Sequence, residues 1–137
     1  VGIIHAKTAL QIQKTGNPLS PPAVILSGGE TSVTVKGSGR GGPNTEFTLS
    51  LLQELRGQDG IWAIACDTDG IDGTEDNAGA FISPESFKKS KKLGLDPSDY
   101  LSNNDSYSFF HKLGDLVSPG PTMTNVNDFR AILVLPP

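Results

Sequence analysis

Short, uninterrupted apolar runs alternate along the chain with segments whose apolar residues return every three or four positions. Residues 1–15 place Ile3, Ala6 and Leu10 on one stripe with Lys7 and Lys14 outside it, which predicts a helix ended by Gly16-Asn17-Pro18. Ser20-Pro21-Pro22 then makes a stiff entry to Ala23-Val24-Ile25-Leu26, a continuous apolar run of the kind expected of a strand covered on both faces. Thr31–Lys36 alternates instead, with Val33 and Val35 facing inward, and predicts an antiparallel partner joined through a turn at Gly28-Gly29. A helix is predicted from about Asn44, through Phe47, Leu51, Leu52 and Leu55, to Gly57. Ile61–Cys66 reads as a buried central strand and Ala78–Ile82 as a weaker one. Pro84 and Gly94 bracket a polar helix. Short helices are expected near Pro97–Leu101 and Ser106–Leu113, and Asp115–Val117 and Ile132–Leu135 complete the strands. Together these elements predict a single α/β domain over residues 1–137, layered, with a mixed β-sheet flanked by helices.

The bulk numbers narrow the partners. Fifteen acidic against eleven basic residues give a net charge of −4, without the basic stripe that a nucleic-acid surface would show. The basic cluster Lys88-Lys89-Ser90-Lys91-Lys92 falls on a predicted helix and reads as a solvated face. One cysteine, Cys66, excludes an internal disulfide and fits a reducing, cytoplasmic compartment. No apolar stretch approaches the ~20 residues that cross a bilayer, and no signal-peptide pattern opens the chain. Val1 at the start, and a strand running straight to Leu135-Pro136-Pro137, read as a domain cut from a longer polypeptide.

The chemistry concentrates in four polar, glycine-punctuated loops beside the apolar runs. They are Ser27-Gly28-Gly29-Glu30, Gly37-Ser38-Gly39-Arg40-Gly41-Gly42-Pro43-Asn44, Asp67-Thr68-Asp69-Gly70-Ile71-Asp72-Gly73 and Gly120-Pro121-Thr122-Met123-Thr124-Asn125. Glycine lets a backbone approach an anion closely, and a neighbouring Asp is where magnesium would be held. Gly37, Gly39 and Gly42 formally match G-x-G-x-x-G, the dinucleotide fingerprint. The alternating strand before the loop and Pro43 after its third glycine count against that reading. Arg40 points instead to a carboxylate or phosphate, which its guanidinium can grip with two parallel hydrogen bonds. The acidic loop has the wrong spacing for an EF-hand, with Ile71 and Asp72 at its fifth and sixth positions. Magnesium, needing one or two carboxylates, is easier to satisfy, and Asp69 and Asp72, each followed by glycine, are the expected pair. Glu30 edges the first loop as a ligand contact, and Glu46 reads equally as a first-turn helix residue. Asn103-Asn104-Asp105-Ser106 divides between helix capping and a site. Thr122, Thr124 and Asn125 offer hydroxyl and amide donors, whereas Asn127 and Asp128 read as turn residues. His5, His111 and Cys66 read as structural.

These loops, in this order, resemble the C-terminal (MOFRL) domain of type II glycerate kinases, whose relatives include proteins labelled hydroxypyruvate reductase from tartrate-utilisation operons. The residues that carry the resemblance are Leu26–Thr31, Gly37–Asn44 with Glu46-Phe47, Thr68–Gly73, Asn104-Asp105-Ser106, and Gly120-Pro121-Thr122 with Thr124–Asp128. The resemblance implies ATP-dependent, Mg2+-assisted phosphorylation of D-glycerate, favouring the 2-phosphoglycerate product. It implies a cleft shared with a larger N-terminal Rossmann-like domain of the same polypeptide, and leaves room for a homodimer. On it, Arg40 and Asp69 carry the catalytic roles and Asp69 and Asp72 the metal. Gly28, Gly29, Glu30, Gly39, Gly41, Gly42, Asn44, Asp72, Asn104, Thr122, Thr124 and Asn125 line the substrate and phosphate loops. Pro43, Thr45 and Asp67 depart from the residues common in the family at those positions. The alternatives are an NAD(P)H-dependent hydroxypyruvate reductase and an isolated, non-catalytic ligand-binding module.

Overall fold

The structure, a computed structural model, describes residues 2–29, 37–72, 77–118 and 127–137. In chain order the described elements are α1 (Gly2–Thr15), β1 (Ala23–Gly28), α2 (Pro43–Leu55), β2 (Ile61–Asp67), β3 (Gly79–Ile82), α3 (Ser86–Lys92), α4 (Pro97–Ser102), α5 (Ser106–Leu113), β4 (Leu116–Val117) and β5 (Asp128–Val134). The strands form one sheet in the order β1-β5-β2-β3-β4, with antiparallel pairing throughout. The layered α/β architecture is the expected one. The mixture of strand directions is not seen among the described pairs, for a topological reason. β1 and β2, linked through a helix, run the same way, but β5 lies between them and is antiparallel to both. The strand expected over Thr31–Lys36 lies outside the described residues; of the turn expected before it, Gly28 ends β1 and Gly29 follows at φ +98°.

Local signals set the element ends. Pro43 occupies the first turn of α2, where its missing N–H is not needed. Asp96 caps α4 by accepting from Ser98 N at 3.0 Å. Gly114, at φ +88°, closes α5 in a left-handed conformation. β5 begins at Asp128, four residues before the predicted start at Ile132. Its inward positions there are Asp128 and Arg130, and two charged residues hide the alternation that marks a strand.

The core fills the space between the sheet and the helices. Ala6, Ala9 and Ile12 of α1 meet Phe47, Leu51, Leu52 and Leu55 of α2 above Ile61, Ala63, Ile82, Ile132 and Val134 of the sheet. Phe109, Phe110 and Leu113 of α5 close the other side. The double burial predicted for β1 and β2 is corrected by the exposures: Val24 is 52% and Leu26 66% exposed, and Trp62 is 38%. Alternate residues of each strand face the helices, and the others face away from them. The register lines up the outward residues in rows across the strands: Val24, Leu133 and Trp62, then Leu26, Ala131, Ile64 and Phe81. No helix among the described residues is long and apolar enough to cross a membrane.

Candidate active site

The site is organised around the N-terminus of α2, and the sequence supplies the anion for that terminus from within the chain. The first N–H groups of a helix have no partner inside it and carry partial positive charge. Here Asp72 Oδ1 accepts from Asn44 N at 2.9 Å and Asp72 Oδ2 from Thr45 N at 2.9 Å. The Asn44 side-chain amide adds a third bond to Asp72 Oδ1 at 3.1 Å. Asp72 is fully buried, and burial pushes its carboxyl above the usual range, against the opposing pull of the Asn44 and Thr45 donors. Thr45 Oγ1 accepts from Gly42 N at 3.1 Å and meets Ser106 Oγ at 2.7 Å, tying α2 to α5.

From Asn44 a buried polar chain continues into the sheet. Asn44 Nδ2 donates to Asp128 Oδ1 at 2.9 Å, and Asp128 Oδ2 lies 4.0 Å from the Arg130 guanidinium. Arg130 Nε donates to Ser27 Oγ at 2.9 Å and its NH2 to the Gly28 carbonyl at 2.9 Å. His5 Nε2 completes the run at 3.0 Å from Ser27 Oγ, with its ring edge-on to Phe47. Ser27-Gly28, at the first glycine loop, and the start of α2 are therefore braced by one network of internal charges. Asn44 Oδ1 and Arg130 NH1 are buried and have no hydrogen-bond partner among the described residues.

The loop preceding α2 is clamped by the turn between α4 and α5. Gly37 N donates to Asn104 Oδ1 at 2.9 Å, Gly39 N to the Asn103 carbonyl at 2.8 Å, and Arg40 N to Asp105 Oδ1 at 2.9 Å. Tyr107 N returns a bond to the Arg40 carbonyl at 2.8 Å. These contacts explain the glycines. A Cβ on Gly37 would meet Asn103, one on Gly39 Asp105, one on Gly41 Ser106, and one on Gly42 Asp72. The close approach that glycine permits here is protein to protein. With its backbone fixed at both ends, Arg40 carries an exposed guanidinium whose carbon lies 4.3 Å above the Tyr107 ring.

The acidic loop follows β2. Asp67 Oδ1 accepts from Asp69 N at 3.1 Å, and Asp69 Oδ1 from Ile71 N at 2.8 Å, two successive side-chain turns. Thr68 ties the loop to the start of β5, its N–H and hydroxyl both donating to the Asn127 carbonyl, at 3.2 and 2.8 Å. Burial pushes the Asp67 carboxyl up, and neighbouring Asp69 and Asp128 add to it, while the Asp69 N–H opposes. Burial likewise raises the Cys66 thiol, with Asp67, Asp128 and Asp72 adding to the shift. Among the described residues, no three His, Cys, Asp or Glu side chains come together as a metal cage. The donor chemistry differs between the two carboxylates expected to hold magnesium. Both oxygens of Asp72 are spent on α2, whereas Asp69 accepts from Ile71 N and otherwise lies beside the Asp67 side chain. An ion that fills most of its shell with water and phosphate fits Asp69.

Arg40, Gly39, Gly41, Gly42, Asn44, Asp72 and Asn104 thus converge on one corner, and Gly28 joins it through Arg130, with Gly29 the next residue. Glu30, Thr122, Thr124 and Asn125 lie outside the described residues. Tyr107 and Arg130 are members of the corner that the sequence did not single out; Asp128, read as a turn residue, is a buried member of it, and Asn103 and Asp105 belong to the segment that the sequence divided between capping and a site. Asp105 stands three residues from the end of α4 and reads as a cap for α5, yet its carboxylate serves the Arg40 backbone and Ser108.

The chain is similar over nearly its whole length to known proteins. A putative-named relative from Agrobacterium vitis, "Putative hydroxypyruvate reductase", is 54% identical over 136 residues, covering 98% of this chain and 31% of its own length. The "D-glycerate 2-kinase" of Thermotoga maritima is 45% identical, covering 98% of this chain and 32% of its own. A crystal structure of the Thermotoga maritima glycerate kinase superposes with a TM-score of 0.94 at 42% identity, over 98% of this chain and 32% of that one. A Pyrococcus horikoshii structure gives the same TM-score at 36% identity, over 99% and 31%. The chain spans about a third of the length of these relatives and corresponds to their C-terminal domain. The sequence profile of the MOFRL family matches residues 23–128, from the start of β1 to the first residue of β5, and the chain belongs to that family.

Proposed function

We propose that this domain forms one wall of the active-site cleft of a glycerate kinase, an enzyme that moves the γ-phosphate of ATP to D-glycerate and yields 2-phosphoglycerate. The observation that carries the reading is Arg40: an exposed guanidinium on a loop whose backbone is hydrogen-bonded to Asn103, Asp105 and Tyr107. Phosphoryl transfer asks the protein mainly for positioning and for fixed positive charge where negative charge develops. A braced loop holds such a cation without reorganisation. Arg40 would grip the transferring phosphate or the glycerate carboxylate. Asp69 would hold magnesium, which when bound would neutralise phosphate charge. Gly28 and Gly29, with Glu30, Thr122, Thr124 and Asn125, would close around the substrate anions. Asn44, Asn104 and Asp72 would keep the loops in place. The name of the Thermotoga maritima relative, at 45% identity, supports the substrate and the phosphorylated position. The N-terminal Rossmann-like domain of the same polypeptide would supply the opposite wall, so the isolated domain would be inactive. The single thiol suits a cytoplasmic setting.

The name of the Agrobacterium vitis relative favours a second reading, a nicotinamide-dependent hydroxypyruvate reductase. The local geometry speaks against it. In a dinucleotide site the third glycine packs inside the helix, whereas Gly42 precedes Pro43 and its missing Cβ makes room for Asp72. The test is a coupled ADP-release assay on the full-length protein with D-glycerate, ATP and magnesium, beside an NADH assay with hydroxypyruvate. Glycerate-dependent ADP release is expected; NADH consumption without it would replace the kinase by the reductase.

A further inference from the structure

The sheet has a second face, and its composition is that of an interior. The outward rows defined by the register hold Val24, Leu26, Trp62, Phe81, Phe129 and Leu133, all between 37% and 66% exposed, and no residue in these rows is charged. A solvated face of an antiparallel sheet would alternate with polar side chains. Instead, the ring of Trp62 and its neighbours outline a shallow depression of about 270 Å3. Four strands ~4.8 Å apart and five residues each ~3.4 Å long give a contiguous apolar footprint of roughly 300 Å2, the size of patch that is often functional.

We infer that this face seats the N-terminal portion of the same polypeptide. Length and area select the occupant. The relatives are about three times as long as this chain, so most of the protein they represent lies outside it. A stable pairing of separate chains buries about 800 Å2 on each partner, well above this patch. Contacts between domains of one chain are smaller, beginning near 600 Å2, and so come closer to what this patch offers. A tethered partner also avoids most of the translational entropy that free association loses. The face reaches the site as well: Phe129 lies between Asp128 and Arg130 in β5, so a domain packed on it adjoins the braced corner. The inference does not depend on which reaction the enzyme performs.

The test places the photo-cross-linker p-benzoylphenylalanine at Phe81, and separately at Trp62, in the full-length protein. A third variant carries it at the exposed Lys91 of α3 as the control. After irradiation, products are sized on denaturing gels and mapped by mass spectrometry. Cross-links of monomer mass from Phe81 or Trp62 to the N-terminal two thirds, absent from the Lys91 control, are expected. Products of doubled mass would assign the face to a second copy. Links only within this domain, or none at either position, would leave it to the domain itself or to solvent. Any of those three results overturns the inference.

Discussion

Asn44 holds the Asp72 carboxylate twice, through its backbone N–H at 2.9 Å and its side-chain amide at 3.1 Å, and the same amide reaches Asp128 at 2.9 Å. One residue thereby joins the acidic loop, the first turn of α2 and the start of β5. A helix N-terminus behind a glycine-rich loop is an attractive seat for phosphate. In this domain the seat is filled by an internal carboxylate, and on the proposed function the ligand's anion falls to the loops and to Arg40.

Removing that carboxylate should therefore be a stability experiment before it is a catalytic one. Asp72→Ala leaves two buried N–H groups of α2 without acceptors. Loss of a cap together with unsatisfied donors should cost about 2–3 kcal/mol, read from urea unfolding of the full-length protein. An unfolding midpoint equal to that of the parent would show that Asp72 does not anchor the helix.

Gly39 tests the clamp on the loop. Its Cβ would meet the Asp105 side chain and lie 2.7 Å from the Asn103 carbonyl oxygen, so backbone must move. Gly39→Ala should destabilise by about 1–3 kcal/mol and lower turnover, because Arg40 is the next residue. Gly94→Ala is the comparison. It has open space around it but a φ of +71°, so it should cost only ~1 kcal/mol and leave kinetics unchanged. Equal kinetics for the two variants would refute the clamp.

Arg40→Ala in the full-length enzyme should abolish measurable turnover, a loss of about 10³-fold or more, while the fold is kept. The side chain is exposed and lies over the Tyr107 ring, so stability should change by no more than about 0.5 kcal/mol. Near-normal ADP release with glycerate would remove Arg40 from the mechanism.

Much of this arrangement was readable in the chain, and the unread part has one physical cause. Apolar runs and Gly/Pro punctuation located α2, β2 and α5, because their inward faces are apolar and their ends carry local signals. The same logic failed where one residue answers to two demands. β5 was shortened because Asp128 and Arg130 occupy inward positions for the sake of the buried network. β1 and β2 seemed doubly covered because a face apolar on both sides looks the same whether its cover is a helix of this domain or another part of the protein. The glycine loop announced itself, but a sequence does not say whether a missing Cβ admits a ligand or the chain's own Asn103 and Asp105.

Three carboxyls give the stability a pH dependence of defined sign. Burial raises Asp115 against the opposing Lys89 ammonium and Ser86 hydroxyl, and burial is also the leading cause at Asp67 and Asp72. Each folded value then lies above the unfolded one, near 3.9. Between the two, the folded state binds more protons, so this contribution is fully present below the unfolded value and is lost as pH rises through the folded one. The urea midpoint should therefore decline as pH is raised from about 4 through that window. Asp115→Asn, which removes one of the three groups, should flatten the decline. A slope that steepens, or is unaltered in the variant, would contradict the assignment.

Arg130 should prove to be the most costly single loss in the corner. It is 4% exposed and holds Ser27 Oγ and the Gly28 carbonyl, with Asp128 at 4.0 Å. Arg130→Met keeps much of the volume but leaves the Asp128 charge buried without its cation, which should cost about 3–5 kcal/mol. Asp128→Asn in the same chain should restore part of that loss, because the amide carries no charge to compensate. A double-mutant cycle on urea unfolding should therefore give a coupling of more than ~1 kcal/mol. Additive effects would mean that the two side chains are held separately, Asp128 by Asn44 and Arg130 by the first glycine loop, and that the network is two units rather than one.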